Sequence, residues 1–491
     1  MARDQETARG IKMLARGIRS NWVLFASIVF AALAIYAWYV ENYIFLLFPV
    51  LIIAAIVVFF NPDFLWFFLA FAVPISVNPS DSDFSGLSLS LPAEPVLIFL
   101  LALFIYYVIS KKDIDTRIFR HPLSSLLYIY LGWMLVTCVT STDFVVSIKF
   151  FLAKLWFIFP AYFLSFYFMK SENRIHQFIF LFSVSLTLVA LYNSVNLAGH
   201  NFEDKPSQWT MRPFFKDHTV LGAALAMCIP LTLAGFRQSG GDVIKRLFYP
   251  AAFIIMTFCL VITFARAAWV SMFSAILLYF IFLLKIRFKY LLTVLLMVVC
   301  YLVINLETIL RDLEHSEVAS SEDLIENLES VTNISSDQSN LERINRWASA
   351  FAMWQERPIF GFGPGTYMFE YAPYQLKNNR TEISTNFGDV GNAHSEYLGA
   401  MAEGGFPAMV LVFLILIFTF YYALKAFRES NSKTDRIWIS AAACGLATYY
   451  THGFLNNFLD TDKAAVLFWF LTSVIVYFDI KNRTIAESGA N

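Results

Sequence analysis

GFPAMVLVFLILIFTFYYAL, residues 405–424, is a run of twenty residues without a charge. A helix of about 20 apolar residues can cross the hydrocarbon core of a bilayer. Outward from this run, similar stretches recur along most of the 491-residue chain, which is 58% hydrophobic and 15% charged. Soluble proteins carry about 25% charged residues. The sequence therefore excludes a soluble enzyme, a nucleic-acid binder and a disordered scaffold, and it predicts an all-α polytopic membrane protein.

Hydropathy predicts fourteen spans, so we expect about 12–14 transmembrane helices and one long, partly helical outer loop. The predicted order is a basic cytoplasmic N-terminus (1–21), helices 1–11 (22–306), the long loop (307–403), helices 12–14 (404–478) and a cytoplasmic tail (479–491). The predicted spans are 22–40, 43–60, 64–77, 94–110, 123–140, 150–169, 177–196, 219–236, 250–264, 267–284, 290–306, 405–424, 437–454 and 464–478.

The distribution of positive charge predicts the orientation, because cytoplasmic loops are enriched in Lys and Arg. If the N-terminus is cytoplasmic, 23 of the 36 Lys and Arg residues fall in cytoplasmic segments. Both termini are then predicted to be cytoplasmic, and the long loop faces outward. The net charge of −1 and the five cysteines, all inside apolar runs, indicate neither a partner nor a redox compartment.

The long loop carries most of the candidate chemistry. Its stretch PIFGFGPG, residues 358–365, has three glycines at alternate positions. It follows a predicted helix and lacks the GK[ST] of a phosphate loop, so it indicates a tight turn between closely packed segments. The residues that we expect to shape this loop are Trp347, Pro358, Gly361, Gly363, Gly365, Tyr397, Glu403 and Gly404.

His394 is the candidate catalytic residue. A histidine in an outer loop is ordinarily a hydrogen-bonding surface residue. However, His394 precedes a helix that enters the membrane, and a neutral imidazole is suited to removing a proton from a hydroxyl near neutral pH. No second histidine stands at metal-ligand spacing, so we predict neither a metal nor a cofactor.

Several arginines predict a phosphate-bearing substrate. Arg266 lies between two apolar runs, where an arginine is costly unless it is paired or binds a ligand; snorkelling to lipid headgroups is the alternative. Arg343 stands one helical turn before Trp347, and Arg212 lies in a shorter outer loop. A guanidinium grips phosphate through two parallel hydrogen bonds. Arginines around one histidine at a membrane face therefore indicate a phosphorylated lipid.

The order of these motifs resembles the bacterial O-antigen ligase and O-antigen polymerase superfamily, in which the long outer loop also lies near the C-terminal end. The resemblance covers about residues 212–413; elsewhere only the hydropathy matches. The matching motifs are Arg266, Arg343-x-x-x-Trp347, Pro358-x-x-Gly361-x-Gly363-x-Gly365, His394-x-x-Tyr397-Leu398 and Glu403-Gly404-Gly405.

The resemblance implies a metal-independent, inverting glycosyltransferase of lipopolysaccharide biosynthesis, in the bacterial inner membrane with its site facing the periplasm. Its donor would be a glycan on a polyprenyl (undecaprenyl) diphosphate. His394 would match the general base, and Arg266 and Arg343 the arginines that bind the diphosphate. Two departures are Ala265, where the family often has Ser, and the lack of a small-residue pair before Arg343, which leaves Arg346 as the alternative phosphate ligand.

The acceptor and the class of protein both leave alternatives. A ligase transfers the glycan to lipid A core, and this is the assignment that we prefer. A polymerase of the same superfamily transfers it to a second carrier-linked glycan. A polysaccharide transporter or flippase would explain the spans without catalysis. It predicts charged residues in broken helices at mid-membrane, whereas the notable polar groups here cluster at the outer face.

Overall fold

Long helices dominate the computed structural model, which describes residues 61–78, 89–110, 115–305, 338–375 and 391–489. Within these ranges the predicted all-α class is confirmed, and extended pairing is confined to one isolated bridge, between Val77 and Leu91. Residues 1–66 and 67–491 are separate units, and the packing given below is that of the second. The predicted spans 22–40 and 43–60 lie outside the described residues.

The described ranges contain thirteen long helices. They are α1 (Pro62–Ile75), α2 (Ala93–Ile109), α3 (Pro122–Val139), α4 (Phe144–Ile158), α5 (Glu172–Ala198), α6 (His218–Gln238), α7 (Val243–Ile262), α8 (Arg266–Leu283), α9 (Phe288–Ile304), α10 (Gln338–Glu356), α11 (Glu396–Glu429), α12 (Lys433–His452) and α13 (Asp462–Gly489). Helix α4 continues through a π-helical turn (Phe159–Leu164) into Ser165–Phe168. Short helical turns occur at Ile118–Arg120, Asp204–Ser207, Tyr367–Glu370 and Ala372–Tyr374.

Each predicted span within the described ranges coincides with a helix. Eight helices are long and apolar enough to cross a membrane: α3, α4 with its continuation, α5, α6, α7, α8, α11 and α13. Helices α1, α2 and α9 coincide with predicted spans but offer shorter apolar stretches. Helix α12, predicted as the span 437–454, begins with a polar turn of four residues, Lys-Thr-Asp-Arg. Helix α11 begins at Glu396, so it includes the last residues of the predicted long loop.

Helix α13 lies at the centre of the bundle. Its most apolar window is 94% buried by protein, whereas that of α7 is 28% buried. In a membrane protein, the residues left uncovered by protein face lipid. The outer helices therefore present apolar side chains to the bilayer, and α13 packs against α4, α11 and α12.

Short polar side chains determine where several helices begin. Asp217 accepts hydrogen bonds from the amides of Thr219 and Val220 at the start of α6. Ser395 accepts one from the amide of Leu398 at the start of α11. These amides have no partner inside their own helix, so each cap satisfies a donor that would otherwise remain unpaired.

Small residues bring α6, α8 and α12 into close contact. A Cβ added at Gly222 of α6 would lie 2.9 Å from the Cβ of Ala265, just before α8 begins. A Cβ added at Gly445 of α12 would lie 2.6 Å from the carbonyl oxygen of Met227. Such close backbone approach is typical of membrane helix interfaces. The packing fixes the first turn of α8, which carries Arg266, beside the end of α12.

Candidate functional site

The glycine-rich stretch forms a strap, residues 358–365, across the first part of α11. The amides of Phe362 and Gly363 donate to the carbonyls of Ala402 (3.0 Å) and Glu403 (2.8 Å). The amide of Phe406 donates to the carbonyl of Pro358 at 2.9 Å. The predicted turn between closely packed segments is therefore present, and Pro358 and Glu403 take part in it through their backbones.

The glycines of the strap are required by both conformation and space. Gly361, Gly363 and Gly365 have φ of +65°, +113° and +75°, which side-chain-bearing residues rarely adopt. A Cβ on Gly361 would lie 2.4 Å from the carbonyl carbon of Glu403, and one on Gly363 would lie 2.0 Å from Ser141 Oγ. The strap is thus pressed between α11 and the loop before α4.

Glu403, Gly404 and Tyr397 also have structural contacts. Glu403 Oε1 accepts a hydrogen bond from the amide of Tyr367 at 3.2 Å, and Trp133 Nε1 donates to the carbonyl of Gly404 at 2.8 Å. The hydroxyl of Tyr397 donates to the carbonyl of Tyr450 at 2.8 Å. These contacts fix the first turns of α11 and hence the segment that carries His394.

His394 lies immediately before α11 in a strained backbone conformation. Its φ of +48° is unusual for a residue other than glycine and costs about 1–3 kcal/mol. Asn392 Oδ1 accepts from the His394 amide at 3.1 Å, and Trp347 Nε1 donates to the His394 carbonyl at 3.3 Å. Trp347, predicted to shape the loop, therefore anchors the candidate base directly. A strained residue held by such contacts is typical of functional sites.

Two arginines of α10 lie beside the His394 imidazole. Burial, followed by the charges of Arg346 and then Arg343, lowers the pKa of His394 to about 4. The ring is therefore neutral at neutral pH, as a general base requires before the reaction. The structure brings together the histidine and the two α10 arginines named from the sequence.

The two α10 arginines differ in their contacts. Arg346 is buried, with 4% exposure. Its Nε donates a hydrogen bond to Glu342 Oε1 at 2.6 Å, and its Nη1 donates one to the carbonyl of Asn392 at 3.1 Å. Its guanidinium also lies 4.9 Å from the ring centre of Tyr371. Arg343 is partly exposed and acts electrostatically on three histidines, His218, His394 and His452. Arg346 thus connects Glu342 to the backbone of Asn392, while Arg343 interacts electrostatically with all three histidines.

The other two arginines predicted from the sequence, Arg266 and Arg212, lie outside α10 on two separate elements. Arg266 is exposed and is the first residue of α8, and the backbone of its neighbour Ala267 interacts with His452. Arg212 is exposed in the loop before α6, where its Nε donates to the carbonyl of Lys216 at 3.3 Å. The structure therefore places Arg266 beside the histidine cluster and Arg212 on the loop that leads to His218.

Sequence reasoning missed His452, Asn456 and the participation of His218. His452 ends α12, and its Nε2 lies 3.1 Å from Asn456 Nδ2. The side chain of Asn456 in turn interacts with the imidazole of His394. A sequence signal was available, since two of the seven histidines stand at predicted outer span ends. Neither of these histidines belongs to the long loop.

A cavity of about 230 Å³ is lined in part by the residues on either side of His394, which are Gly391, Asn392, Ala393, Ser395 and Glu396. Two polar atoms in its wall, Trp469 Nε1 and Asn457 Oδ1, have no hydrogen-bond partner within the described part of the chain. Glu396 Oε1 accepts hydrogen bonds from the Tyr449 hydroxyl (2.6 Å) and from two backbone amides. Charged and aromatic side chains line the cavity, among them Lys154, Glu396, Glu403, Asp460, Tyr130, Trp133, Phe150, Tyr449 and Trp469.

Metal-ligating side chains do not converge in the ranges that the structure describes. No group of three or more His, Cys, Asp or Glu residues there is arranged to hold a metal ion. The positive charge at the site comes from arginine instead.

Comparison with known proteins gives two findings. Residues 251–413, about a third of the chain, match the family model described as O-antigen ligase. An uncharacterized protein of Haemophilus influenzae is 30% identical over 98 residues, 20% of this chain and 24% of that protein. The chain therefore matches about a quarter of the length of this relative. The family region includes Arg266, both α10 arginines, the strap and His394, but neither Arg212 nor Asn456.

Proposed function

We propose that this chain, which matches the O-antigen ligase family model over residues 251–413, is a membrane glycosyltransferase. It moves a glycan from a polyprenyl-diphosphate carrier to lipid A core at the periplasmic face of the bacterial inner membrane. The observation that carries the proposal is a neutral imidazole, His394, held beside two arginines at the start of a membrane-length helix. A base next to phosphate-binding cations is what transfer from a sugar diphosphate requires.

The proposed step replaces the bond between the anomeric carbon and the diphosphate oxygen with a bond to the acceptor oxygen. His394 removes the proton of an acceptor hydroxyl as the oxygen attacks the anomeric carbon of the donor. The bond from that carbon to the diphosphate oxygen breaks, and its electron pair leaves with the diphosphate. Attack from the face opposite the diphosphate inverts the anomeric centre. His394 then returns the proton to water.

Donor binding increases the basicity of His394 in this scheme. The positive charges of Arg346 and Arg343 contribute to the low pKa of His394 in the free protein. A bound diphosphate neutralises positive charge near the ring, so the pKa of His394 rises toward its ordinary value. The base becomes effective when the donor is in place, because a general base works best with a pKa near the working pH.

We assign the diphosphate to Arg343 and Arg266, and a supporting role to Arg346. Arg346 already uses Nε and Nη1 for Glu342 and Asn392, so moving it would uncover a buried carboxylate. Arg343 acts on all three histidines, and Arg266 stands at the start of α8 beside them. Arg212, which lies on the preceding loop, is assigned a peripheral electrostatic role. No metal or other cofactor is needed in this scheme.

The cavity lined by residues 391–393, 395 and 396 supports a saccharide substrate. Aromatic rings pack against the apolar faces of sugars, and carboxylates, amides and indole N–H groups bond their hydroxyls. The unpartnered Trp469 Nε1 and Asn457 Oδ1 supply one donor and one acceptor of this kind. A purely lipid-binding role would leave both atoms buried without a partner.

Removal of the base tests the proposal. Purified protein in lipid is supplied with a polyprenyl-diphosphate-linked glycan and lipid A core. We expect His394→Ala to lower the transfer rate by about 10²–10⁴-fold. His200→Ala changes an exposed histidine of the outer loop at residues 199–203 and serves as the matched control. Activity of His394→Ala near that of the control would return His394 to an ordinary structural role.

A substitution that keeps the charge tests the arginines. Arg266→Lys retains a cation but loses the paired geometry of the guanidinium, so transfer should remain badly impaired. The control is Arg237→Lys. Arg237 lies in the last turn of α6, at the end of that helix away from His218. Full activity of Arg266→Lys would remove Arg266 from diphosphate binding.

A deletion strain separates ligase from polymerase. Loss of a ligase leaves bare lipid A core while full-length polymer accumulates on the carrier. Loss of a polymerase leaves core that carries a single repeat unit. The first profile is the one we expect, and the second would assign the chain to the polymerase branch.

A further inference from the structure

The cavity beside His394 is separate from the arginines that are assigned to the diphosphate. Neither Arg266 nor the two α10 arginines are among the described residues of its wall. Asn392 connects the two regions, because it lines the cavity while its carbonyl accepts a hydrogen bond from Arg346 Nη1 at 3.1 Å. A ligand in the cavity therefore lies next to the segment that carries the candidate base, and it contacts other side chains than these arginines.

Carboxylates outnumber cations in the wall of this cavity. The charged side chains among its described lining residues are Lys154, Glu396, Glu403 and Asp460. The Lys154 ammonium is 2.8 Å from the carbonyl oxygen of Leu459, to which it donates a hydrogen bond, and it lies 5.0 Å from the ring centre of Phe150. The positive charge is therefore held against the wall by groups of the protein.

Glu396 uses one carboxylate oxygen to fix the loop before α13. Its Oε1 accepts hydrogen bonds from the Tyr449 hydroxyl at 2.6 Å and from the amides of Phe458 and Leu459 at 2.9 and 3.0 Å. Three donors at one oxygen are what an ionised carboxylate accepts. Like charges repel more strongly in a partly dehydrated cavity than in water. A carboxylate or phosphate group on a ligand would therefore meet an unfavourable potential here.

One tryptophan in the wall has an unused donor. Trp469 is 4% exposed, and its Nε1 has no hydrogen-bond partner within the described part of the chain. Trp133, which also lines the cavity, already donates through Nε1 to the carbonyl of Gly404 at 2.8 Å. The volume of about 230 Å³ is below the range of about 300–1,000 Å³ that drug-sized ligands occupy. The cavity therefore suits a single ring with hydroxyl groups.

We propose that this cavity is a subsite for one sugar ring without an acid group, which accepts a hydrogen bond from Trp469 Nε1. Its carboxylates reject sugars that carry carboxylate or phosphate. The identity of the ring as part of a transfer substrate rests on the function proposed above. The phosphate-bearing part of either substrate then binds at the arginines, and an uncharged sugar unit binds in the cavity.

Binding of simple sugars tests the charge preference without any transfer assay. Purified protein in lipid nanodiscs, which avoid the sugar headgroups of common detergents, is mixed with methyl glycosides and examined by saturation-transfer NMR. The panel contains the glycosides of glucose and galactose, of their 2-amino forms and of their uronic acids. We expect the neutral and amino sugars to bind, and the acids to bind about tenfold more weakly. Equal binding of the acids, a preference for them, or no binding of the neutral sugars would overturn the proposal.

Two aspartate variants locate the charge preference in this cavity. Asp460→Asn removes one carboxylate from the wall at nearly constant shape, so the acids should gain about threefold or more relative to the neutral sugars. Asp204→Asn is the matched control, because Asp204 is exposed in the turn Asp204–Ser207 and does not line the cavity. An equal change of the ratio in both variants, or no change in Asp460→Asn, would refute the role of the wall carboxylates.

Two tryptophan variants test the unused donor. Trp469→Phe keeps an aromatic ring but loses the N–H, so neutral sugars should bind about fivefold more weakly. Trp156→Phe is the matched control, because Trp156 Nε1 also has no partner among the described residues but does not line the cavity. Both variants should keep the native melting temperature, because neither loses a hydrogen bond within the protein. Equal binding by the two variants would overturn the assignment of Trp469.

Transfer kinetics then identify which substrate supplies the ring. Trp469→Phe should raise KM about fivefold for one of the two substrates, while Trp156→Phe changes neither. A raised KM for the carrier-linked glycan assigns the ring to the donor, and a raised KM for the acceptor assigns it to the acceptor. Unchanged KM for both would overturn the subsite. If the native protein transfers no glycan, the proposed function fails, whereas the order of sugar binding still decides whether the cavity selects uncharged sugars.

Discussion

Alanine at Gly405 should destabilise the protein far more than an ordinary glycine substitution in a helix. Gly405 lies in α11 with φ 72° and ψ −177°, a non-helical conformation that kinks the helix. This region of backbone space is open essentially only to glycine. The kink separates the membrane-length part of α11 from its first turns, which begin two residues after His394.

The size of the effect follows from three contributions. The backbone conformation costs about 1–3 kcal/mol for a residue with a Cβ. The added Cβ would lie 2.0 Å from the carbonyl oxygen of Ile359, and since that atom is backbone, relieving the overlap costs about 1–3 kcal/mol. Displacing the strap also lengthens the 2.9 Å hydrogen bond from Phe406 to Pro358, which is worth about 1 kcal/mol. Together these contributions give an expected loss of about 3–7 kcal/mol.

Gly132→Ala is the matched control. Gly132 lies within α3, and a Cβ there meets nothing within 4 Å. Alanine in a helix interior is favoured over glycine by about 0.5–1 kcal/mol, so this variant should be slightly stabilised. The assay is the apparent melting temperature in detergent at one fixed heating rate, because membrane proteins often unfold irreversibly. If Gly405→Ala melts within one degree of Gly132→Ala, the strain argument is refuted.

Four further outcomes are expected. The acid limb of kcat/KM should lie near pH 4, because kcat/KM reports the free enzyme and its His394 pKa is about 4, whereas the limb of kcat should lie higher; a common limb near pH 6.5 would contradict this. Trp347→Phe removes the hydrogen bond to the His394 carbonyl and should slow transfer about fivefold in the reconstituted assay, with an unchanged rate as the contrary result. Transfer should survive EDTA, and loss of activity with rescue by Mg²⁺ would establish a metal requirement. A cysteine introduced at Ser335 should react with a membrane-impermeant thiol reagent in intact spheroplasts; labelling only after permeabilisation would reverse the predicted orientation.

The helices themselves were predictable from the sequence. Runs such as 219–236 and 464–478 are long and apolar, and in lipid such a run can satisfy its backbone hydrogen bonds only as a helix. The glycines at 361, 363 and 365 predicted a tight turn for an equally local reason. Glycine has no Cβ and therefore tolerates the positive φ that such a turn requires. The sequence also indicated His394 as the candidate base, because it stands directly before a membrane-length run.

Only the tertiary structure brought His452 and Asn456 to His394. They lie 58 and 62 residues further along the chain, and no spacing in a sequence encodes a meeting between the ends of separate helices. The same is true of the difference between Arg343 and Arg346, which depends on Glu342 and on the carbonyl of Asn392. Local propensity and hydropathy are set by neighbours in the chain, whereas burial, charge proximity and pKa depend on which helix faces which. That arrangement is decided by packing, here by small residues such as Gly222 and Gly445 that let α6, α8 and α12 approach closely.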